Sequence, residues 1–442
     1  MSFNPKSLNP NSFNRRHFIQ LSGLAAIATQ LPSCASMGQK MTDWSTPNHR
    51  VVVIGGGYAG ATAAKYCRLW SNNQIEVIVI EPNQYFVSCP LSNLVLGGNQ
   101  VIDHLTFGYD LLKNNHGIEW VQDTVTAIDV TAKKVKLTRG EIAYERLIIA
   151  PGVDFDYSKI AGLTAPEAQV DIPHAWKAGK QTQQLRNQLK AMPDGGTFVM
   201  TIPLAPYRCP PGPYERACQV AYYLKNNKPK SKVIVLDANP EITSKKGLFT
   251  KAWKELYDGL IDYHPNSAIV QVDAKAKTVK TEFDIVKADV LNVIPPQKAG
   301  KIAEIAGVMN KGASEKDLRW CEVDFLTYES KVMPNVHVIG DSVFAALPKS
   351  AHMATSQARV CASAIVELLN HRSPDPAPVF ANTCYSYVND KMAVHVANVY
   401  RYDAAKKVMI AAEGGGVSDK PSELEGSYAQ AWAKNIWSDT LT

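Results

Sequence analysis

Residues 50–81 read RVVVIGGGYAGATAAKYCRLWSNNQIEVIVIE, and this stretch decides the fold. The apolar, β-branched run at 51–54 predicts a buried parallel strand. Glycines 55, 57 and 60 follow at the spacing G-x-G-x-x-G, an alanine-rich segment then suits a helix, and a second apolar run ends on Glu81. Strand, glycines, helix, strand and acid in this order predict a βαβ unit that binds the ADP part of a dinucleotide.

Each glycine has a physical task in such a unit. Gly55 allows the tight turn, Gly57 lets the backbone approach a pyrophosphate, and Gly60 lets helix and strand touch. The helix start offers unpaired N–H groups to the phosphates, and Glu81 is placed to accept bonds from ribose hydroxyls. A glycine-rich turn that binds nothing is the alternative, which the full order of elements disfavours. The predicted contacts are Gly55, Gly56, Gly57, Tyr58, Ala59, Gly60 and Glu81.

Composition limits the remaining possibilities. At 442 residues with 45% apolar content, the chain is long enough for two or three domains with ordinary cores. Its formal net charge is +6. No basic cluster is interleaved with aromatic residues, so we expect no nucleic-acid binding.

Residues 1–40 are predicted to be an export signal. Residues 14–20, NRRHFIQ, resemble a twin-arginine motif, and the apolar segment 21–31 is too short to span a membrane. Cleavage near Ala35 leaves a chain exported folded to the periplasm. A lipid anchor on Cys34 and a disordered N-terminus with a chance Arg-Arg pair are the alternatives. No later stretch reaches about 18 apolar residues, so we expect no membrane span.

The second half of the chain continues the α/β pattern. Residues 121–128 suggest a short strand, residues 147–152 an apolar strand that ends in a tight turn, and residues 336–341 an apolar strand that ends in an acid. The flavin contacts predicted in these segments are Val125, Ala150, Gly152 and Asp341. Residues 195–237 have the outline of a second βαβ unit, with strands at 197–202 and 232–237 and a helix at 215–225 between them. Its loop carries four prolines between 206 and 213, and proline has no N–H to donate to a pyrophosphate. We therefore expect no NAD(P)H binding there.

These patterns predict an α/β fold with two Rossmann-like dinucleotide-binding domains, the second inserted in the first, plus a smaller C-terminal α+β domain. The predicted bounds are 48–158 and 288–370 for the split first domain, 159–287 for the second, and 371–442 for the third. Aromatic residues in the third predict either a separate small core, or a lid and a docking surface for a partner. No cysteine or histidine spacing predicts a metal site or a haem-attachment motif.

Several longer motifs carry a family resemblance: CPLSN from residue 89, HAWKAGKQT from 174, YRCPPGPYERACQVAYYLK from 207, IPPQKAGKIA from 294, VIGDS from 338 and NTCYS from 382. Together they resemble the flavoprotein subunit of flavocytochrome c sulfide dehydrogenase, within the disulfide-reductase-like flavoproteins. The resemblance covers about residues 48–442.

The resemblance implies the site chemistry. Cys89 would form a thioether to FAD, Cys209 and Cys384 would form a redox-active disulfide beside the flavin, and Glu215 would shuttle a proton. Sulfide would open the disulfide, FAD would take two electrons, and a haem on a c-type cytochrome subunit would accept them from this heterodimer. Alternatively, each of these cysteines is a structural thiol, and Glu215 is a carboxylate that is favoured at a helix start.

Three rival functions stay open at this point. A sulfide:quinone reductase would pass the electrons to a quinone and usually ends in membrane-binding helices. An NADH dehydrogenase is disfavoured by the proline loop. A non-catalytic chaperone or binding subunit would retain FAD for structure only, and the presence of both Cys209 and Cys384 disfavours it.

Overall fold

The glycine-rich stretch folds as its pattern predicts. Strand Arg50–Ile54 leads into helix Tyr58–Trp70, and the chain returns as strand Glu76–Ile80. This computed structural model describes residues 49–310 and 319–442. The predicted export signal, with Cys34 and Ala35, lies outside the described residues.

The first sheet has five parallel strands. In spatial order they are Val336–Val338, Arg146–Ile149, Arg50–Ile54, Glu76–Ile80 and Glu119–Val121. The central strand is buried along nearly its whole length, as a parallel strand covered on both faces should be. Helices Tyr58–Trp70 and Ala351–Leu369 pack against each other on this sheet.

The second sheet has four parallel strands, in the order Ile261–His264, Lys232–Asp237, Thr197–Ile202 and Val290–Val293. The strands predicted at 197–202 and 232–237 are confirmed to the residue. The helix between them, Gly212–Asn227, begins three residues before its predicted start. Pro213 suits a first helical turn, where a missing N–H costs nothing.

One predicted domain boundary is wrong. Residues 288–294 were expected to return the chain to the first domain, but Val290–Val293 pairs with Thr197–Ile202 in the second sheet. The domains are instead joined by a short antiparallel ladder between Val153–Phe155 and Gln297–Ala299. A fully apolar run predicts a buried strand, but it does not encode the sheet in which that strand pairs.

Smaller elements complete the two domains. Antiparallel strands form one ladder at Val125–Asp129, Lys134–Leu137 and Gly140–Ala143, another at Ile269–Asp273, Thr278–Thr281 and Ile285–Lys287, and a third at Phe86–Val87 and Thr106–Phe107. The shorter helices are Asn93–Gly97, Asp110–His116, Pro166–Asp171, Lys180–Ala191, Lys246–Leu256 and Lys301–Ile305, with 3₁₀ turns at Ile102–Leu105, Tyr157–Lys159 and Gly340–Ser342.

The C-terminal part is an antiparallel sheet and one long helix. Its strands are Val379–Tyr387, Ala393–Asp403, Val408–Ala411 and Gly416–Val417, followed by helix Glu423–Leu441. That helix is tied to the first domain, because the Asp439 carboxylate accepts a 2.7 Å bond from Tyr66 and pairs with Arg359. The described residues, 49–310 and 319–442, belong to one compact unit. Across the described residues, no helix has both the length and the apolar character needed to cross a membrane.

Candidate active site

A cavity of about 650 Å³ brings the predicted site residues together. Its wall is built from all three parts of the chain: the glycine turn, the helix start at Gly212 and the strand that carries Cys384. Every predicted site residue except Gly56 and Gly60 lines this cavity. The predicted residues in the lining are Gly55, Gly57, Tyr58, Ala59, Glu81, Cys89, Val125, Ala150, Gly152, Cys209, Glu215, Asp341 and Cys384. Their individual roles stay predictions.

The glycine end of the cavity has the shape of a phosphate cradle. A Cβ on Gly55 would lie 2.5 Å from the Ala150 carbonyl oxygen, and one on Gly60 would lie 1.8 Å from the Gly55 oxygen. Gly57 has open space where a side chain would be, and helix Tyr58–Trp70 begins there with no capping side chain. Uncapped N–H groups beside open space fit the pyrophosphate of FAD.

Glu81 ends the second strand of the unit, and the structure adds a partner that the sequence did not indicate. One carboxylate oxygen accepts a bond of 2.7 Å from Gly56 N. The other accepts bonds from the backbone and side-chain nitrogens of Asn83, at 2.9 and 2.6 Å. Each carboxylate oxygen has two lone pairs, so capacity remains for ribose hydroxyls.

Asp341 is partly buried in the cavity wall. Burial raises the pKa of its carboxyl, while Arg208 and Lys349 oppose this rise. The Lys349 ammonium donates to the carbonyl oxygens of Asp341 and Val343, at 2.7 and 2.8 Å. Lys349 therefore holds the turn that carries Asp341, a role that sequence reasoning missed.

Cys89 lines the cavity next to a small hydrogen-bonded network. The preceding Ser88 shares a 2.7 Å bond with the Tyr58 hydroxyl and accepts a 2.9 Å bond from the Trp437 indole. The network links the cysteine segment to the start of the first helix and to the C-terminal helix. Cys89 is a free thiol in the structure.

Cys209 and Cys384 reach the same cavity from different domains. Cys209 adopts a φ of 58°, which is rare for a residue with a side chain, and its N–H donates to the Lys349 carbonyl at 2.7 Å. Cys384 lies on strand Val379–Tyr387. Both are free thiols here, so the predicted disulfide is not formed in the structure.

The two thiols have different electrostatic surroundings. Burial raises the pKa of Cys209 far above its ordinary value, and the charges of Cys384 and Glu215 add to the rise. Burial also raises the pKa of Cys384, but Lys245, Asn382 and Ser350 counteract it. Both thiols line the same cavity.

Glu215 is buried between three segments. Its carboxylate accepts a 2.8 Å bond from Asn93 Nδ2 and another of 2.8 Å from the backbone N–H of Tyr387. Burial raises its pKa, and these two bonds together with the charges of Lys245 and Arg216 oppose the rise. A carboxyl whose pKa is raised beside two thiols is suited to accept and return a proton.

Two buried cations near the cysteines escaped the sequence reasoning. The Lys245 ammonium donates to the Cys384 carbonyl at 3.0 Å and to Ser386 Oγ at 2.8 Å, and burial lowers its pKa to about 8. Burial likewise lowers the pKa of Arg216 to about 9. For Arg216, the available signal was a second charged residue directly after Glu215 in a helix whose next three turns are mostly apolar.

In the second βαβ unit, the acid that ends the second strand and a tyrosine of the proline loop are hydrogen-bonded to other side chains. Asp237, at the end of its second strand, accepts bonds from the hydroxyls of Tyr214 and Tyr263 at 2.8 and 2.9 Å. Tyr207 of the proline loop is buried, and its hydroxyl bonds to Thr243 at 2.8 Å. The acid and loop that would hold a nicotinamide dinucleotide are thus engaged within the protein.

Within residues 49–310 and 319–442, no group of three or more His, Cys, Asp or Glu is arranged to hold a metal ion.

Family comparisons cover most of the chain. Residues 182–295 match the central part of the sulfide dehydrogenase (flavocytochrome c) flavoprotein chain, and residues 376–441 match the flavin-binding part of flavocytochrome c sulphide dehydrogenase. Residues 49–191 match the pyridine nucleotide-disulphide oxidoreductases.

Individual relatives agree with these matches. The sulfide dehydrogenase (flavocytochrome c) flavoprotein chain of Chlorobaculum thiosulfatiphilum is 52% identical over 46 residues, which are 10% of this chain and 94% of that sequence. The mitochondrial sulfide:quinone oxidoreductase of Mus musculus is 26% identical over 340 residues, covering 74% of this chain and 73% of the relative.

A solved structure shows the same fold. The sulfide:quinone oxidoreductase of Aquifex aeolicus superposes with a TM-score of 0.68 at 19% identity, over 89% of this chain and 91% of that one. The family matches and the relative from Chlorobaculum thiosulfatiphilum lead to one conclusion: the chain belongs to the flavoprotein chains of flavocytochrome c sulfide dehydrogenase.

Proposed function

We propose that this protein oxidises sulfide with FAD and passes the electrons to a c-type cytochrome. The observation that carries the proposal is the meeting of Cys209, Cys384 and Glu215 in one cavity with the glycine cradle. Two thiols and a carboxyl with a raised pKa are the groups that thiol–disulfide exchange with hydrosulfide requires.

The chain's own residues supply the sulfur chemistry. Hydrosulfide attacks one sulfur of the Cys209–Cys384 disulfide, so that the S–S bond breaks, one cysteine becomes a persulfide and the other leaves as a thiolate. A second hydrosulfide attacks the outer persulfide sulfur, releasing a disulfane and the second thiolate. Glu215 takes up the proton that the product loses. When bound, FAD supplies the two-electron oxidant that returns the cysteine pair to the disulfide.

FAD in this site would be held by both ends of the first domain. Gly57, the N–H groups that follow it and Glu81 would bind the ADP part, while Gly152 and Asp341 would face the ribityl chain. The position of Cys89 in the cavity wall supports a thioether to the flavin. The twin-arginine pattern at residues 14–20 supports export of the folded protein to the periplasm, where a cytochrome partner would form the second subunit.

A quinone acceptor is the second candidate, favoured by the long match to the mouse sulfide:quinone oxidoreductase. The last helix supports the cytochrome instead, because its contacts through Asp439 and through the indole of Trp437 hold it on the first domain. Steady-state assays of the purified protein with horse cytochrome c and with decylubiquinone as acceptors separate the two.

Anaerobic titration with sulfide tests the first step. We expect the flavin absorbance to bleach at micromolar sulfide in the wild type and to persist in Cys384→Ser, with Cys361→Ser as a matched control for a buried cysteine outside the site. A wild-type flavin that stays oxidised up to millimolar sulfide would rule out the proposed function. Yellow colour left in the supernatant after acid precipitation would rule out the thioether at Cys89.

A further inference from the structure

Arg216 is a buried cation whose hydrogen-bond partners are all neutral. It is 2% exposed. Its nitrogens donate to Asn93 Oδ1 at 3.1 Å and Asn292 Oδ1 at 2.9 Å, and to the carbonyl oxygens of His174 and Ala175 at 2.8 and 2.5 Å. Among the described residues, no carboxylate forms an ion pair with it. Burying a charge without an ion pair is costly, and the negative charges of Glu215 and of the cavity cysteines oppose that cost.

Asn93 lies between the charged groups of Arg216 and Glu215 and bonds to both. Its side-chain oxygen accepts from Arg216 Nε, while its side-chain nitrogen donates to the Glu215 carboxylate at 2.8 Å. Asn93 thereby fixes the Glu215 carboxylate in the cavity wall, and this carboxylate forms no ion pair with the guanidinium. A guanidinium has five N–H donors, and four are used within the described residues. One donor on the second terminal nitrogen remains, and Arg216 lines the cavity.

Arg216 and Cys209 line the same cavity, and each lies close to the Trp176 ring. The guanidinium lies 4.6 Å from the centre of the Trp176 ring. The edge of that ring and the sulfur of Cys209 lie 3.0 and 2.9 Å from the place where a Cβ of Gly212 would be, so ring edge and sulfur are within about 6 Å of each other. Burial lowers the pKa of Arg216, and negative charge on Glu215, and after it on Cys209 and Cys89, opposes that fall.

We infer that Arg216 stabilises anionic sulfur at Cys209, first the incoming hydrosulfide and then the thiolate or persulfide anion made from it. The inference rests on the proposed function for the identity of the anion. Charge interactions in a buried, water-poor wall act over longer distances than in water, so the guanidinium does not need to touch the sulfur. The motif HAWKAGKQT, which the reaction itself left without a role, supplies the Trp176 ring on which the guanidinium rests.

The competing explanation is a purely structural arginine that ties the 174–176 segment to Asn292. Alkylation of the sulfide-free holoenzyme distinguishes the two, because it requires no turnover. After reduction with a phosphine, Cys209 is modified with the anion iodoacetate or with neutral iodoacetamide, and the rate at this residue is read by mass spectrometry. A structural arginine would not change the ratio of the two rates.

We expect Arg216→Gln to lower the iodoacetate-to-iodoacetamide ratio at Cys209 at least about tenfold, the equivalent of one charge interaction of about 1.4 kcal/mol. Arg216→Lys should keep most of the ratio. Arg186→Gln is the matched control, since this half-buried arginine lies 4.1 Å from the Tyr223 ring and donates to the Leu96 carbonyl, away from the cysteines. An unchanged ratio in a flavin-loaded Arg216→Gln protein would overturn the inference.

A measurement on the wild type covers the case in which the glutamine variant does not fold. Thiocyanate, a monoanion, should slow iodoacetamide modification of Cys209 with saturation at constant ionic strength, and neutral urea at equal concentration should not. Lack of saturable protection would refute the inference. If saturable protection occurs but sulfide does not bleach the flavin, the anion site stands and the proposed substrate fails.

Discussion

Gly212 is the position at which the structure most sharply predicts the effect of one methyl group. It begins helix Gly212–Asn227, and its backbone conformation tolerates a side chain. A Cβ there would lie 2.9 Å from the Cys209 sulfur and 3.0 Å from the Trp176 ring. We therefore predict that Gly212→Ala displaces the reacting sulfur.

The size of the displacement follows from the contacts. Non-bonded heavy atoms need about 3.5–4.0 Å, so the sulfur or the ring must retreat by roughly 0.6–1.1 Å. The ring is held in place, because its indole N–H donates to the Arg208 carbonyl at 2.9 Å and Arg216 covers its face. Overpacking of this kind costs about 1–3 kcal/mol, and a misplacement of about 1 Å at a reacting atom slows a reaction by up to about 100-fold.

Stopped-flow reduction of the flavin by sulfide and urea unfolding of the holoenzyme measure both effects. Gly247→Ala is the matched control, since Gly247 also lies in a helix but has nothing within 4 Å of its Cβ position. Alanine there should raise stability by up to about 1 kcal/mol and leave the reduction rate unchanged. A Gly212→Ala protein with wild-type stability and a wild-type reduction rate would refute the reasoning.

Three further predictions concern single side chains of the site. Burial raises the pKa of Glu215 above 4.5, so the folded state binds the proton more tightly and the free energy of unfolding falls as pH rises above 4.5. Glu215→Gln should remove this part of the fall in urea unfolding measured at several pH values, and the same pH dependence in the wild type and the variant would contradict the prediction. Burial lowers the pKa of Lys245 from 10.5 to about 8, so the free energy of unfolding should rise between these pH values, by up to about 3 kcal/mol, and Lys245→Met should abolish the rise. Cys89→Ser should keep its FAD but release it into acid supernatant, and flavin that stays with the Cys89→Ser precipitate would place the covalent link elsewhere.

The buried cations explain how one cavity serves both thiols. Lys245 lies against the backbone of Cys384, and Arg216 lies behind the ring that borders Cys209. Each cation carries a lowered pKa, which marks the cost of its burial. The charge of Lys245 opposes the rise in the pKa of both thiols, although burial outweighs it and keeps both pKa values above their ordinary value.

The sequence alone determined the parts of this protein that depend on local pattern. Apolar runs bounded by glycine or an acid predicted the strands at 51–54, 197–202 and 232–237, because a buried parallel strand needs little beyond a short β-branched segment. The glycine spacing predicted the tight turn that Gly55 makes at a φ of 104°. The long motifs predicted which cysteines and which glutamate to look for.

Only the tertiary structure decided what depends on contacts between distant segments. It placed Val290–Val293 in the second sheet, since the pairing partner of a strand is not written in its own residues. It assembled the cavity wall from residues 119 or more positions apart, such as Asn93, Gly212 and Tyr387 around Glu215. It also revealed Arg216 and Lys245, because the burial of a charge, and therefore its pKa, is set by the segments that fold over it and not by its neighbours along the chain.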